Sequence, residues 1–234
     1  MSPVEFVIPA PPPVNLPVQG SAQRFPVRRV FCVGRNYEEH AKEMGFTGRE
    51  PPFFFMKPAD ALVSIDPQQP GRIAYPSLTQ NLHHEIELVV AVGLGGRDIP
   101  ADQATQHIYG YAVGLDMTRR DLQNEMKKQG RPWEIGKAFE QSAPIGPVVP
   151  AAQVAGLGDA AIWLKVNGEL RQSSHIHQLI WNLGEIIEHL SAAWELAPGD
   201  LIFTGTPAGV AAVRPGDVIH AGVDGLPDLN LQVV

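Results

Sequence analysis

His83-His84-Glu85-Ile86-Glu87-Leu88-Val89-Val90-Ala91-Val92 is an apolar, β-branched run that ends abruptly at the turn-rich Gly93-Leu94-Gly95-Gly96-Arg97-Asp98. That combination predicts a strand. Side chains alternate across a strand, so His83, Glu85 and Glu87 share one face and His84, Ile86 and Leu88 take the other. Two carboxylates two residues apart on an apolar strand repel each other and lose hydration if buried. Either their face is solvated, or the pair holds a hard cation such as Mg²⁺, Mn²⁺ or Ca²⁺ that cancels the repulsion.

The flanking sequence extends the pattern. The 23 glycines and 22 prolines punctuate short apolar runs, which predicts many short strands joined by turns and few helices. Strands are expected over 30–33, closed by Gly34, and over 53–56, 109–115, 161–166 and 201–204. Asn167-Gly168 is a hairpin turn signal, and Pro215-Gly216-Asp217 precedes a final strand pair. Helices are expected over 37–44, stopped by Gly45, over a short 101–107 segment, and over about 182–196. In the last, Leu183, Ile186, Ile187, Leu190, Ala193 and Trp194 recur at helical spacing. The proline-rich residues 1–27 read as a segment that wraps a surface or pairs at a sheet edge, since proline cannot donate to a central ladder.

Composition narrows the function classes. The chain has 234 residues, 44% hydrophobic and 18% charged, as a globular protein does. A net charge of −7 and a pI near 5.6 argue against nucleic-acid binding. No apolar run is long enough for a transmembrane helix, and the N-terminus lacks the basic-then-apolar pattern of a signal peptide. The single cysteine, Cys32, cannot build an internal disulfide and lies in the apolar run Val30-Phe31-Cys32-Val33, which fits a core residue in a cytoplasmic protein.

Three further features carry chemistry. Asp116, where the 109–115 strand ends, is the natural third oxygen ligand; the competing reading is a helix N-cap with Thr118 and Arg119 in the first turn. A carboxylate set does not suit zinc, and at most one of His83 and His84 could join it. His40 and Glu43 lie side by side at i, i+3 if the 37–44 segment is helical. They would form either an exposed ion pair or a histidine base oriented by a carboxylate. Lys137, in Trp133-Glu134-Ile135-Gly136-Lys137-Ala138-Phe139, either snorkels to the surface or meets a substrate carboxylate or oxyanion.

Four stretches in series resemble the fumarylacetoacetate hydrolase family. They are Gly34-Arg35-Asn36-Tyr37 with His40 and Glu43; His84-Glu85-Ile86-Glu87-Leu88; Leu115-Asp116-Met117-Thr118-Arg119-Arg120-Asp121-Leu122-Gln123; and Thr204-Gly205-Thr206-Pro207-Ala208-Gly209-Val210. The likeness runs from about residue 28 to the C-terminus. Gly130-Arg131-Pro132-Trp133 leading into Gly136-Lys137-Ala138-Phe139 resembles the fumarylpyruvate hydrolase and acylpyruvase branch. The resemblance implies an α+β, β-rich fold, a mixed β-sandwich roll, in one catalytic domain over 28–234, and a homodimer. It also implies Mg²⁺ or Mn²⁺, with Ca²⁺ admissible, on Glu85, Glu87 and Asp116. His40 and Glu43 would activate water under a short lid helix, and Lys137 would contact the reacting group. Arg120, Gln123 and Thr206 would bind substrate, with Arg35 or Arg131 meeting its far end. The expected substrate is a small anionic β-diketo acid, foremost fumarylpyruvate of aromatic catabolism, cleaved to fumarate and pyruvate. Competing expectations are oxaloacetate decarboxylation, isomerisation with decarboxylation, and a non-catalytic metal- or ligand-binding protein on the same fold.

Overall fold

The computed structural model describes residues 5–39 and 49–234. The expected 37–44 helix therefore lies, from His40 onward, outside the described residues, as do His40 and Glu43. A curled, mixed sheet forms the centre of the α+β fold. Its strands run in the order Phe53–Lys57, Val30–Gly34, Leu201–Phe203, Ile86–Val92, Ile108–Leu115, Ala143–Ile145 and Leu62–Ser64, with Val149–Pro150 also pairing with Ile108–Leu115. Most neighbours are antiparallel, but Val30–Gly34 runs parallel to Leu201–Phe203, and Leu62–Ser64 runs parallel to Ala143–Ile145.

Ile86–Val92 is buried at every position because both faces of its sheet are covered. Ile86 and Leu88 pack with Ile162, Leu164, Ile219 and Leu229 of a second, five-stranded sheet. Val90 and Val92 pack with Ile186, Ile187 and Leu190 of the helix Leu183–Ala193. Val89 and Ala91 meet Leu16, Val18 and Phe25. Those three belong to the proline-rich segment, where Asn15–Pro17 and Arg24–Pro26 form their own two-stranded hairpin and Val18 makes a parallel bridge to Val148, beside the main-sheet strand Val149–Pro150. Cys32 is fully buried in this layer, and burial pushes its thiol well up.

The run 83–92 is not one strand. Leu82–His83 pairs within a small sheet with Thr118–Arg119 and Ala212–Val213, and Ile86–Val92 enters the main sheet. The break falls at His84 and Glu85, where Gln172 draws the backbone aside. Its Oε1 accepts the Ile86 N–H at 3.2 Å and faces His84 Nδ1 at 2.9 Å. The hairpin at Asn167-Gly168 forms with both residues at positive φ, 52° and 82°, as a primed turn requires. The helix Leu183–Ala193 starts at a capping box. Asn182 Oδ1 accepts the Glu185 N–H at 3.1 Å, and the Glu185 carboxylate accepts the Asn182 N–H at 2.9 Å.

Candidate active site

The sheet switch at residues 84–85 and the end of the neighbouring strand bring three acidic side chains together. Glu87 lies on Ile86–Val92 opposite Gly114; Glu85 precedes that strand; Asp116 follows Ile108–Leu115, its N–H donating to Glu85 O at 2.8 Å. One oxygen from each of Glu85, Glu87 and Asp116 falls within 4.8 Å of the others. The three are only 5%, 2% and 1% exposed, which removes the solvated-face reading. The N-cap reading of Asp116 also falls. The next helix begins at Arg120, is capped by no side chain, and Thr118–Arg119 is a strand.

Cations surround two of the three carboxylates. Arg120 Nη2 and Lys137 Nζ both pair with Glu85, the lysine at 2.8 Å. Asp116 Oδ2 receives Lys137 at 2.6 Å, and its Oδ1 lies 2.8 Å from Lys57 Nζ. Burial works against the Lys137 ammonium, but Asp116 and Glu85 outweigh it and raise its pKa. Lys137 is thus neither snorkelling nor exposed. Among the described residues Glu87 has no cation at salt-bridge distance; its Oε2 accepts the Gly205 N–H at 2.8 Å. Burial, then Asp116 and Glu85, push its carboxyl well above the ordinary range. A buried, under-neutralised carboxylate facing two others is the charge arrangement a hard divalent cation relieves.

The approach to this cluster is a narrow cleft lined by Gly34, Arg35, Phe55, Arg120, Gln123, Trp133, Lys137 and Thr206 with the three carboxylates. Arg120 and Gln123 come from the helix Arg120–Gln129, where the Arg120 guanidinium donates to Gln123 Oε1. Gly136 lets the short helix Glu134–Lys137 press on them, since a Cβ there would sit 2.9 Å from Gln123 N. Thr206 Oγ1 accepts from Gln172 Nε2 at 2.9 Å. Arg35, at φ 57°, stacks 4.7 Å over the Phe53 ring and approaches Glu50 at 3.9 Å. Arg131 joins Arg35, Phe53, Phe55 and Trp133 around an adjoining hollow. His83 stands at the edge, with its Nδ1 3.4 Å from Arg120 Nε; burial, then Arg120, lowers its pKa to about 4.

The motifs interlock. Asn36 Nδ2 donates to Thr204 O at 2.8 Å and Trp181 O at 2.9 Å, and its Oδ1 accepts the Trp181 N–H at 2.8 Å. Gly205, at φ 103°, passes so close that a Cβ would meet Asn36 Cβ at 2.6 Å. Sequence reasoning did not single out Lys57 or Gln172. Lys57 left one signal, a lone lysine closing the apolar run 53–56; Gln172 left none.

The fold and cluster define a class: a β-rich α+β enzyme with three convergent buried carboxylates of the kind that hold a divalent cation. The chain belongs to the fumarylacetoacetate hydrolase family, with residues 29–234 matching the model of the family's C-terminal domain. Fumarylpyruvate hydrolase from Pseudomonas aeruginosa, crystallised with Mn²⁺ and pyruvate, is 58% identical, with a TM-score of 0.96 over 98% of this chain and 99% of that one. The mitochondrial oxaloacetate tautomerase of Rattus norvegicus is 41% identical over 88% of this chain and 91% of its own length. The mitochondrial oxaloacetate decarboxylase of Dictyostelium discoideum is 38% identical over 88% and 92%. No helix among the described residues is long and apolar enough to cross a membrane.

Proposed function

We propose that the protein hydrolyses a carbon–carbon bond in an acylpyruvate, with fumarylpyruvate giving fumarate and pyruvate. The observation that carries this reading is the likeness, along nearly the whole of both chains, to a fumarylpyruvate hydrolase crystallised with Mn²⁺ and pyruvate. The convergent Glu85, Glu87 and Asp116 add independent support.

In this reading Glu85, Glu87 and Asp116 hold Mg²⁺ or Mn²⁺, which when bound supplies a template for the keto acid and charge stabilisation for its enolate. His40, oriented by Glu43, takes a proton from water, and the water oxygen attacks the distal acyl carbonyl carbon. Lys137, with Gln123 beside it, donates to the carbonyl oxygen as it becomes negative. When that carbonyl re-forms, the C–C bond breaks and its electron pair leaves with the pyruvyl fragment as an enolate. The proton held by His40 returns to that carbon, giving pyruvate, and the acyl fragment departs as the acid. Arg120 and Thr206 line the cleft around the pyruvyl end, while Arg35 or Arg131 takes the far carboxylate of a fumaryl chain across the aromatic hollow.

A second reading, oxaloacetate tautomerisation or decarboxylation, draws on the rat and Dictyostelium relatives. The two part at the activated water, which only hydrolysis needs. The test compares kcat/KM for fumarylpyruvate, maleylpyruvate, acetylpyruvate and oxaloacetate, with EDTA and after Mg²⁺ is restored. Hydrolysis should favour fumarylpyruvate, vanish with EDTA and return with Mg²⁺. His40→Ala should cut it by about 10²- to 10⁴-fold while sparing turnover of oxaloacetate. Metal-independent pyruvate release, or a preference for oxaloacetate, would overturn the proposal.

A further inference from the structure

Two buried lysines grip the same aspartate from opposite sides, and their surroundings give them different work. Lys57 Nζ donates to two backbone carbonyls, Met117 O at 3.2 Å and Lys137 O, and forms an ion pair with Asp116 Oδ1 at 2.8 Å. Its side chain is wholly buried and does not line the cleft.

Lys137 Nζ is saturated, by Glu85 Oε2 at 2.8 Å, Asp116 Oδ2 at 2.6 Å and Thr118 Oγ1 at 2.7 Å. Unlike Lys57 it lines the cleft. Two of its three partners are carboxylates of the candidate cation site. Lys57, Lys137 and Arg120 pair with Glu85 and Asp116, and among the described residues none of them reaches Glu87. A divalent cation therefore competes with the Lys137 ammonium for the same two side chains, since crowding like charges in a buried site is costly.

We propose that Lys137 is a placeholder cation that gives up Glu85 and Asp116 when a divalent metal binds, and that Lys57 is the positioning residue that makes this exchange local. By holding Asp116 Oδ1 and the Lys137 carbonyl, Lys57 keeps the ligand and the lysine's main chain in place while the Lys137 side chain alone turns toward the cleft. The ammonium is then free to serve the substrate only in the metal-loaded protein. This rests on the metal reading of Glu85, Glu87 and Asp116.

The two lysines bind one carboxylate at nearly equal distance, yet their removal should act in opposite directions. Mn²⁺ affinity, measured by isothermal titration calorimetry without substrate, reads the difference. Lys137→Met should bind Mn²⁺ more tightly, by about tenfold or more, because the competitor is gone. Lys57→Met should bind it more weakly, by about tenfold, because Asp116 loses its anchor. If Lys57→Met does not fold, Lys57→Gln, which retains an N–H donor, provides the same comparison, with thermal melting as the check on folding. Lys137→Met binding no tighter than wild type would overturn the exchange. A Lys57 variant that folds and binds as tightly as wild type would overturn the positioning role. Wild-type protein that takes up no Mn²⁺ would overturn the underlying metal reading, and this inference with it.

Discussion

Replacing Gly205 by alanine tests the tie between the 204–210 motif and the acidic cluster. Gly205 sits at φ 103°, and a Cβ there would lie 2.6 Å from Asn36 Cβ. The unfavourable backbone conformation costs about 1–3 kcal/mol for a non-glycine residue, and the overpacking adds about 1–3 kcal/mol. Gly216 supplies the control: its φ of 96° is nearly the same, but a Cβ there meets nothing within 4 Å. Gly216→Ala should therefore show the backbone part alone. A chain of this size loses about 2–4 °C of melting temperature per kcal/mol, so Gly205→Ala should melt roughly 5–20 °C lower and Gly216→Ala roughly 2–10 °C lower. Calorimetric melting of both variants gives the difference. The Gly205 N–H also donates to Glu87 Oε2, so Mn²⁺ affinity should fall in Gly205→Ala and hold in Gly216→Ala. Equal melting temperatures in the two variants would refute the close-approach argument.

Other consequences follow from the same geometry. Glu87→Gln should raise the melting temperature of metal-free protein by a few degrees, because it removes a buried carboxylate repelled by Asp116 and Glu85. The stabilisation by metal, about 2.7 kcal/mol at 100 times Kd, should vanish in that variant when melts with EDTA and with Mn²⁺ are compared. Burial pushes the Asp121 carboxyl up, but donors from Thr79, Gln80 and Leu122 outweigh it and hold it below its usual 3.8. A depressed pKa gives stability that is present above the unfolded value and lost as pH falls through the folded one. Urea stability should thus drop below about pH 4, less steeply in Asp121→Asn, as a urea series between pH 5 and 2.5 would show. Asn182→Ala should cost about 1 kcal/mol by removing the cap of the helix Leu183–Ala193, with turnover unchanged in steady-state assays.

The elements that the sequence made legible share one property: their signals are local. Ala161–Val166, the Asn167-Gly168 turn and the helix Leu183–Ala193 are written in alternation, turn chemistry and 3.6-residue periodicity. The helix Arg120–Gln129 was missed because only Leu122 and Met126 are apolar in it; its N-terminal end is held by Arg120, which pairs with Glu85 and donates to Gln123, a tertiary reason. The break at 84–85 depends on Gln172, 86 residues from Ile86, which no local pattern could reveal. The acid pair at 85 and 87 was visible as an alternation, but alternation alone could not separate a wet face from a buried one. Asp116 looked like a cap because a strand end and a helix start share the same local grammar. Lys57 was hidden because its partners lie 59 to 80 residues on in the chain.

The parallel pairing of Val30–Gly34 with Leu201–Phe203, and the Asn36–Thr204 bond that spans 168 residues, bear on how the protein is made. Contacts between such distant positions close the largest loops in the chain and form slowly. The backbone donor at Gly205 that steadies Glu87 emerges from the ribosome only after most of the chain has been synthesised. Nascent chains ending before that point carry Glu85, Glu87 and Asp116 but not the strand and donor that hold them. A metal held by these carboxylates would meet its complete site only once the central sheet has closed.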